Sequence, residues 1–251
     1  MSWWKRARHK LRRIGFAFLD LLYPPHCYLC GKPLDNHSYI CSTCLDSIPL
    51  LEEPYCQRCG EPLVRNGLCE LCSRESRGFF LARSASSYLQ NSRLARAIRG
   101  FKYQGERALA RDLIRLFLRG KTCKLLKEAA ALTYVPQTRS KRASRGFNQG
   151  RLLAEQLGDQ LGLPVIQGLE KIRETPPQVD LDRETRMNNL NGAFRPQSSI
   201  NFDPLVLVDD VFTTGATASE CAKTLNEAGP SQVNVVTLAR SLPVDRAQSS
   251  T

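Results

Sequence analysis

The sequence predicts an α/β fold: a parallel sheet covered by helices, with a small cysteine-rich module in front of it. Eight of the ten cysteines fall between Cys27 and Cys72. After Arg74, short apolar runs of strand length alternate with stretches of helical periodicity. These runs are apolar throughout instead of alternating, as expected of strands covered on both faces. A chain of 251 residues can hold one core of ordinary domain size and a small extra module. The expected divisions are a basic amphipathic helix over 1–24, the cysteine module over 25–75, the α/β domain over 80–242 and a frayed tail over 243–251.

At the amino terminus, Lys5, Arg6, Arg8, Lys10, Arg12 and Arg13 precede the apolar stretch Ile14–Tyr23. Asp20 interrupts that stretch, no small-x-small cleavage site follows, and Pro24-Pro25 ends it, which argues against a signal peptide. The run is also too short to span a bilayer. An amphipathic helix is expected, docked on the protein in preference to resting on a membrane surface. Without a secretion signal the expected compartment is the reducing cytoplasm, where structural disulfides are rare.

The cysteines form four Cys-x-x-Cys pairs, and Cys-x-x-Cys-Gly-x-Pro-Leu occurs at Cys27–Leu34 and again 29 positions later at Cys56–Leu63. Each copy is followed by a second pair, so the repeat unit holds four thiols. That is the ligand set of a structural zinc ion: soft, tetrahedral, with no open position. Two zinc ions are therefore expected, although iron also accepts such a site. Sequential pairing, Cys27/Cys30/Cys41/Cys44 and Cys56/Cys59/Cys69/Cys72, follows the repeat; spacing alone leaves a cross-braced pairing open. His26 and His37 are surplus to eight thiols, and the isolated Cys123 and Cys221 suit core packing. A module this small relies on its metals as a larger one relies on a core, and suits docking better than catalysis.

Beyond it, Phe80–Tyr88 suits a strand, and Ser92–Arg99 and Glu106–Arg119 suit helices. Leu132–Val135 is a strand ended by Pro136, and Gln137–Gly146 is a basic, polar loop. Asn148 is placed to cap a helix running to about Leu161. Leu163–Gln167 is expected as a strand, Asp182–Asn189 as a short helix, and Leu205–Val208 as a buried strand. Thr217–Ala228 is a helix ended by Gly229, and Val233–Leu238 the last strand.

The strand Leu205–Val208 leads straight into Asp209-Asp210 and then Thr213-Thr-Gly-Ala-Thr217 at the start of a helix. Open α/β sheets bind ligands at strand carboxyl ends. Backbone N–H groups and threonine hydroxyls there can wrap a phosphate, with Gly215 allowing close approach. The two carboxylates suit ribose hydroxyls and a hydrated Mg2+. Gly120-Lys121-Thr122 imitates the end of a nucleotide-binding P-loop, but Arg115 stands where the first glycine must be.

The net charge of +12 is concentrated: 17 Lys/Arg face three acids between Arg83 and Arg151. Such a field favours polyanions, above all nucleic acid or phosphorylated metabolites. Solvated helix faces account for part of it, since Arg96, Arg99, Arg107, Arg111 and Arg115 recur at helical spacing.

The stretch Leu205–Thr217 resembles the ribose-phosphate signature of type I phosphoribosyltransferases, with Phe212 bulkier than the usual aliphatic. The cysteine ribbons, Phe101–Gly105, Arg145–Gln149, Thr175–Gln178 and Asn189–Phe194 together resemble the ComF family, over nearly the whole chain from Leu19. That resemblance implies a phosphoribosyltransferase-like domain acting on or beside imported single-stranded DNA. It implies that Asp209 and Asp210 hold the ribose diol, and that Val211, Thr213, Thr214, Gly215, Ala216 and Thr217 hold the 5′-phosphate of Mg2+-bound phosphoribosyl pyrophosphate. A pyrophosphate loop is implied at Val135–Arg139. Arg139 is expected beside the acid pair as a catalytic candidate, with Lys141, Arg142 and Arg145 neutralising pyrophosphate or holding DNA. Lys102 and Arg173 are further candidates, and Phe101, Tyr103 or Phe147 could stack bases. Implied partners are single-stranded DNA, other DNA-uptake proteins and the inner membrane surface.

Two readings of activity follow. In one the domain binds phosphoribosyl pyrophosphate and DNA without turnover. In the other it transfers the phosphoribosyl group to a nucleobase-type acceptor in nucleotide salvage.

Overall fold

The computed structural model describes residues 25–34, 38–103, 106–138, 140, 143, 146–174 and 190–242. The expected amino-terminal helix, the helix at Asp182–Asn189 and the tail lie outside them. The chain divides into two compact units, 1–47 and 48–251. The division falls between the two cysteine ribbons, inside the expected 25–75 module.

In the first unit, Cys27 and Cys30 sit on a tight turn and Cys41 and Cys44 flank the start of α1 (Ser42–Asp46). The second unit opens with the second ribbon, which repeats this plan and ends in α2 (Glu70–Arg74). Its four thiols share one core with Phe79, Ala82 and Phe212, which is why it belongs with the α/β body.

That body is built on β1 (Ala82–Tyr88), β2 (Ala131–Tyr134), β5 (Leu205–Phe212) and β6 (Val233–Ser241), all parallel in the order β1-β6-β5-β2. β2 is buried along its length, as its unbroken apolar run requires. Over the sheet lie α3 (Arg93–Tyr103), α4 (Leu109–Arg119), α5 (Thr122–Lys127), α6 (Gln149–Leu161) and α7 (Ala216–Asn226). α3 and α4 bury Leu94, Ile98 and Phe101, and Leu109, Leu113, Leu116 and Phe117. Their opposite faces expose Arg93, Arg96, Arg99, Arg111, Arg115 and Arg119.

Three differences from expectation have local causes. Leu163–Gln167 forms a single bridge, Val165 to Leu132, instead of a strand; Pro164 has no N–H to extend a ladder. The helix α5 was not anticipated; it begins at the dismissed P-loop imitation, where the Thr122 hydroxyl donates to the Phe117 carbonyl at 2.6 Å. A small antiparallel pair, β3 (Leu169–Lys171) with β4 (Phe194–Pro196), was not anticipated. Its three-residue strands are too short to carry a readable period.

Asn148 caps α6 as expected, its Oδ1 accepting from Arg151 N at 3.0 Å. Its Nδ2 also donates to the Val135 carbonyl at 3.0 Å, tying the loop after β2 to the helix. Asn148→Ala removes both bonds and leaves that buried carbonyl unpaired, so it should cost about 2 kcal/mol. Urea unfolding should show a lower midpoint at unchanged slope.

Candidate functional site

The carboxyl ends of β5 and β2 lie side by side, with Val208 opposite Tyr134 and the Val135 N–H donating to the Val208 carbonyl at 3.2 Å. The residues that leave these strands are thereby adjacent: Asp209 and Asp210 from β5, Pro136 to Thr138 from β2.

Asp209 accepts from the Asp210 N–H at 2.9 Å. Asp210 is buried and its Oδ1 lies 2.7 Å from Nζ of Lys102, at the end of α3. Burial pulls the Lys102 ammonium down, but the charge of Asp210, its hydrogen bond and then Asp209 outweigh this, so its pKa is raised. The structure therefore brings the candidate Lys102 directly onto the acid pair, as a fixed cation that neutralises part of it.

Gly215 takes a left-handed conformation (φ 75°) immediately before α7. A Cβ there would collide with Cζ of Phe212 and lie 2.7 Å from Nη2 of Arg77, so no other residue fits without displacing both. Arg77 Nη2 donates to the Thr214 carbonyl at 2.7 Å. The loop thus rests on a floor of Phe212 and Arg77, with exposed Thr213 and half-buried Thr214 and Thr217 above it. A small hollow of about 40 Å3 lies among Asp209, Thr213, Gly215 and Thr217. It faces the start of α7, whose first N–H groups suit an anion. A larger polar cavity of about 620 Å3 opens next to the loop after β2, lined by Gln137, Thr138, Glu170, Lys171 and Arg173.

Arg139, Lys141, Arg142 and Arg145 lie outside the described residues. Phe101 and Phe147 are buried against one another, ring centroids 5.5 Å apart, and Arg107 covers the Phe147 ring at 5.0 Å. Both rings are buried and not placed to stack a base, whereas Tyr103 is 70% exposed. Helical period already put Phe101 on the buried face, since Ala97, Ile98 and Phe101 are three and four apart.

Both cysteine quartets close as sequential sets, with all Sγ atoms of each within 4.8 Å of one another. The Cys30–Cys41 and Cys59–Cys69 sulfur separations are 3.8 and 3.7 Å. A tetrahedron with Zn–S bonds near 2.3 Å has edges of about 3.8 Å. Backbone N–H groups donate to the sulfurs, Cys41 to Cys27, Cys44 to Cys41, Cys59 to Cys56 and Cys72 to Cys69. Burial raises the Cys56 thiol, but N–H donors from Cys59, Cys69 and Arg58 outweigh it and bring it to about 7, while burial and the charges of Cys59 and Cys56 push Cys69 up to about 12. Donors of this kind favour thiolate, the form that binds metal. The residues fit zinc at both sites.

Two functional side chains escaped sequence reasoning, Arg77 and Arg240. Arg240 Nη1 donates to the Cys59 carbonyl at 2.9 Å, and its guanidinium lies 4.6 Å from the Phe212 ring centroid. Only Arg240 had a signal: it is the one cation in the otherwise uncharged run of β6.

Fold and site together define an α/β protein with a parallel four-stranded sheet and an amino-terminal double zinc ribbon. A family model described as a double zinc ribbon domain matches residues 18–73. Competence protein F of Haemophilus influenzae is 32% identical over 211 residues, 71% of this chain and 92% of that protein. DNA utilization protein YhgH of Salmonella typhimurium is 32% identical over 226 residues, 88% of this chain and 100% of that protein. The chain belongs to the family of these two proteins. Among solved structures, adenine phosphoribosyltransferase from Thermoanaerobacter pseudethanolicus aligns over 58% of this chain and 73% of that one, at 17% identity and TM-score 0.34.

Lys102→Met leaves Asp210 buried beside Asp209 without its cation, and should destabilise the protein by about 3 kcal/mol. Adding Asp210→Asn should recover at least about 1 kcal/mol of that in a double-mutant cycle. Chemical denaturation of the three variants checks both.

Proposed function

We propose that this protein holds Mg2+-bound phosphoribosyl pyrophosphate, or another ribose 5-phosphate ligand, across the carboxyl ends of β5 and β2, and that it serves DNA uptake or utilisation by binding single-stranded DNA. The observation that carries the ligand reading is one strand end bearing an acid pair and a glycine-centred anion loop, beside a second loop from β2. Asp209 and Asp210 orient the ribose hydroxyls. Thr213, Thr214 and Thr217, with the N–H groups of Gly215 and Ala216, hold the 5′-phosphate, and Val211 shapes the hollow's wall. Lys102 keeps the acid pair from repelling the ligand's phosphates. When bound, Mg2+ offsets pyrophosphate charge and draws on the same carboxylates. Arg139 then completes the site from the loop after β2.

The DNA reading is supported by the family and by the arginine stripes on the outer faces of α3 and α4. Lys141, Arg142 and Arg145 extend that field, and other DNA-uptake proteins or the inner membrane surface are the partners this setting supplies. The cytoplasm is the compartment it requires. Among the described residues no helix is long and apolar enough to cross a membrane.

The cavity of about 620 Å3 beside the loop favours a second reading, an active transferase. There, the bond from the anomeric carbon to pyrophosphate breaks as an acceptor nitrogen bonds to that carbon and gives up its proton.

Calorimetric titration with Mg-phosphoribosyl pyrophosphate should show binding that Asp209→Asn or Asp210→Asn weakens at least about tenfold. Full-strength binding by both variants would remove this site from the account. Pyrophosphate release on adding bases, nucleosides or single-stranded DNA separates transferase from binder. Single-stranded DNA retention should fall steeply with salt, and fall further when Lys141, Arg142 and Arg145 become alanine. Unchanged retention would place the DNA elsewhere.

A further inference from the structure

The last residues of β6 carry a feature the proposed ligand site does not use. Every residue from Val233 to Arg240 is buried, yet the last of these is an arginine, 4% exposed. A buried guanidinium is costly unless its charge and donors are met. Among the described residues Glu61 is the one carboxylate on it, 3.4 Å from Nη2, and Nε has no hydrogen-bond partner. Glu61 accepts from Nη2, and the second cysteine quartet meets the rest: Nη1 donates to the Cys59 carbonyl and Nη2 lies 3.6 Å from Cys59 Sγ. Four thiolates around one zinc ion carry a net double negative charge, and Arg240, shared with Glu61, faces it from inside the protein.

The other face of the same guanidinium covers the Phe212 ring. Register places Phe212 directly opposite Arg240 across the β5–β6 ladder. Phe212 packs edge-on to Phe79 at 5.9 Å, and Arg77 lies over Phe79 at 5.4 Å before reaching the Thr214 carbonyl. Phe212 and Arg77 are the two groups against which a Cβ at Gly215 would collide. The loop floor is therefore held on one side by a cation that answers the charge of the metal site. Phe212 is the piece that bridges the two.

We propose that Arg240 is a positioning residue that couples the second metal site, Cys56/Cys59/Cys69/Cys72, to the phosphate loop, so that metal and phosphoribosyl ligand each tighten the other's binding. The inference rests on the ligand reading above. With the metal in place Arg240 is held against Phe212 and the floor is fixed. Without it the Cys59 carbonyl and sulfur are no longer fixed, so the guanidinium that donates to them loses its seat and Phe212 its support. Coupling of this kind is reciprocal, so the ligand must retain the metal as much as the metal sharpens the loop.

The test follows zinc leaving the full-length, zinc-loaded protein to a zinc-selective chromophoric chelator, with and without Mg-phosphoribosyl pyrophosphate. Inorganic pyrophosphate serves as the control for chelation in solution. Cys30→Ser, which weakens the first site alone, assigns the two release phases. The second-site phase should slow at least about tenfold with ligand. The first-site phase should not change with ligand. Arg240→Lys, which keeps charge but loses the fork and the stacking face, should cut the slowing to less than about threefold while still releasing zinc in two phases. Calorimetry on the same samples separates the failures. If the wild type binds no ligand, the site reading itself falls. If it binds while second-site release is unaltered, or if Arg240→Lys couples as strongly as the wild type, Arg240 has no such role and the ligand reading stands.

Discussion

Much of the molecule's chemistry depends on the parallel pairing of β5 with its two neighbours. On one side the ladder to β2 sets the acid pair beside the start of the second loop. On the other, the ladder to β6 puts Phe212 opposite Arg240, under the phosphate loop. A one-residue slip of β5 would turn Asp210 from Lys102 and Phe212 from the loop floor at once, because strand side chains alternate with period two. The continuous burial of Leu205 to Val208 prevents that slip.

The second zinc ribbon acts as part of this body. Gly60 packs against the Ala82 carbonyl, the Arg58 carbonyl accepts from Ala82 N at 2.8 Å, and Arg83 covers Tyr55 at 4.8 Å. A metal cluster here supplies what apolar side chains supply elsewhere, a cohesive centre against which a strand can lie. The first ribbon belongs to the other compact unit, and the two copies of one sequence repeat therefore have different surroundings. The exposed Cys30 and the fully buried Cys56 and Cys59 record that difference.

The parts legible in the sequence are those whose chemistry is local. The acid pair, Gly215 and the threonines follow one another in a single loop, and each cysteine pair announces half a tetrahedron. Asn148 was legible as a cap because capping involves neighbours three residues apart. The partner of Asp210 could be reached only through family resemblance, since Lys102 meets it across more than 100 positions. Arg77 could not be reached at all, and Arg240 showed only as a lone cation in β6, because their roles exist only once the ribbon, β6 and the loop are folded together. The β3–β4 pair was hidden by its brevity, and the first and second ribbons looked equivalent because a repeat carries no information about what packs around it.

The central claim is that a phosphoribosyl ligand occupies the carboxyl ends of β5 and β2. Hydrogen–deuterium exchange of the full chain, with and without Mg-phosphoribosyl pyrophosphate, addresses it most directly. The account predicts slowed amide exchange over Val211–Ser219 and Val135–Thr138, with the outer faces of α3 and α4 unaffected. Protection confined to those helices, or none anywhere, would contradict it.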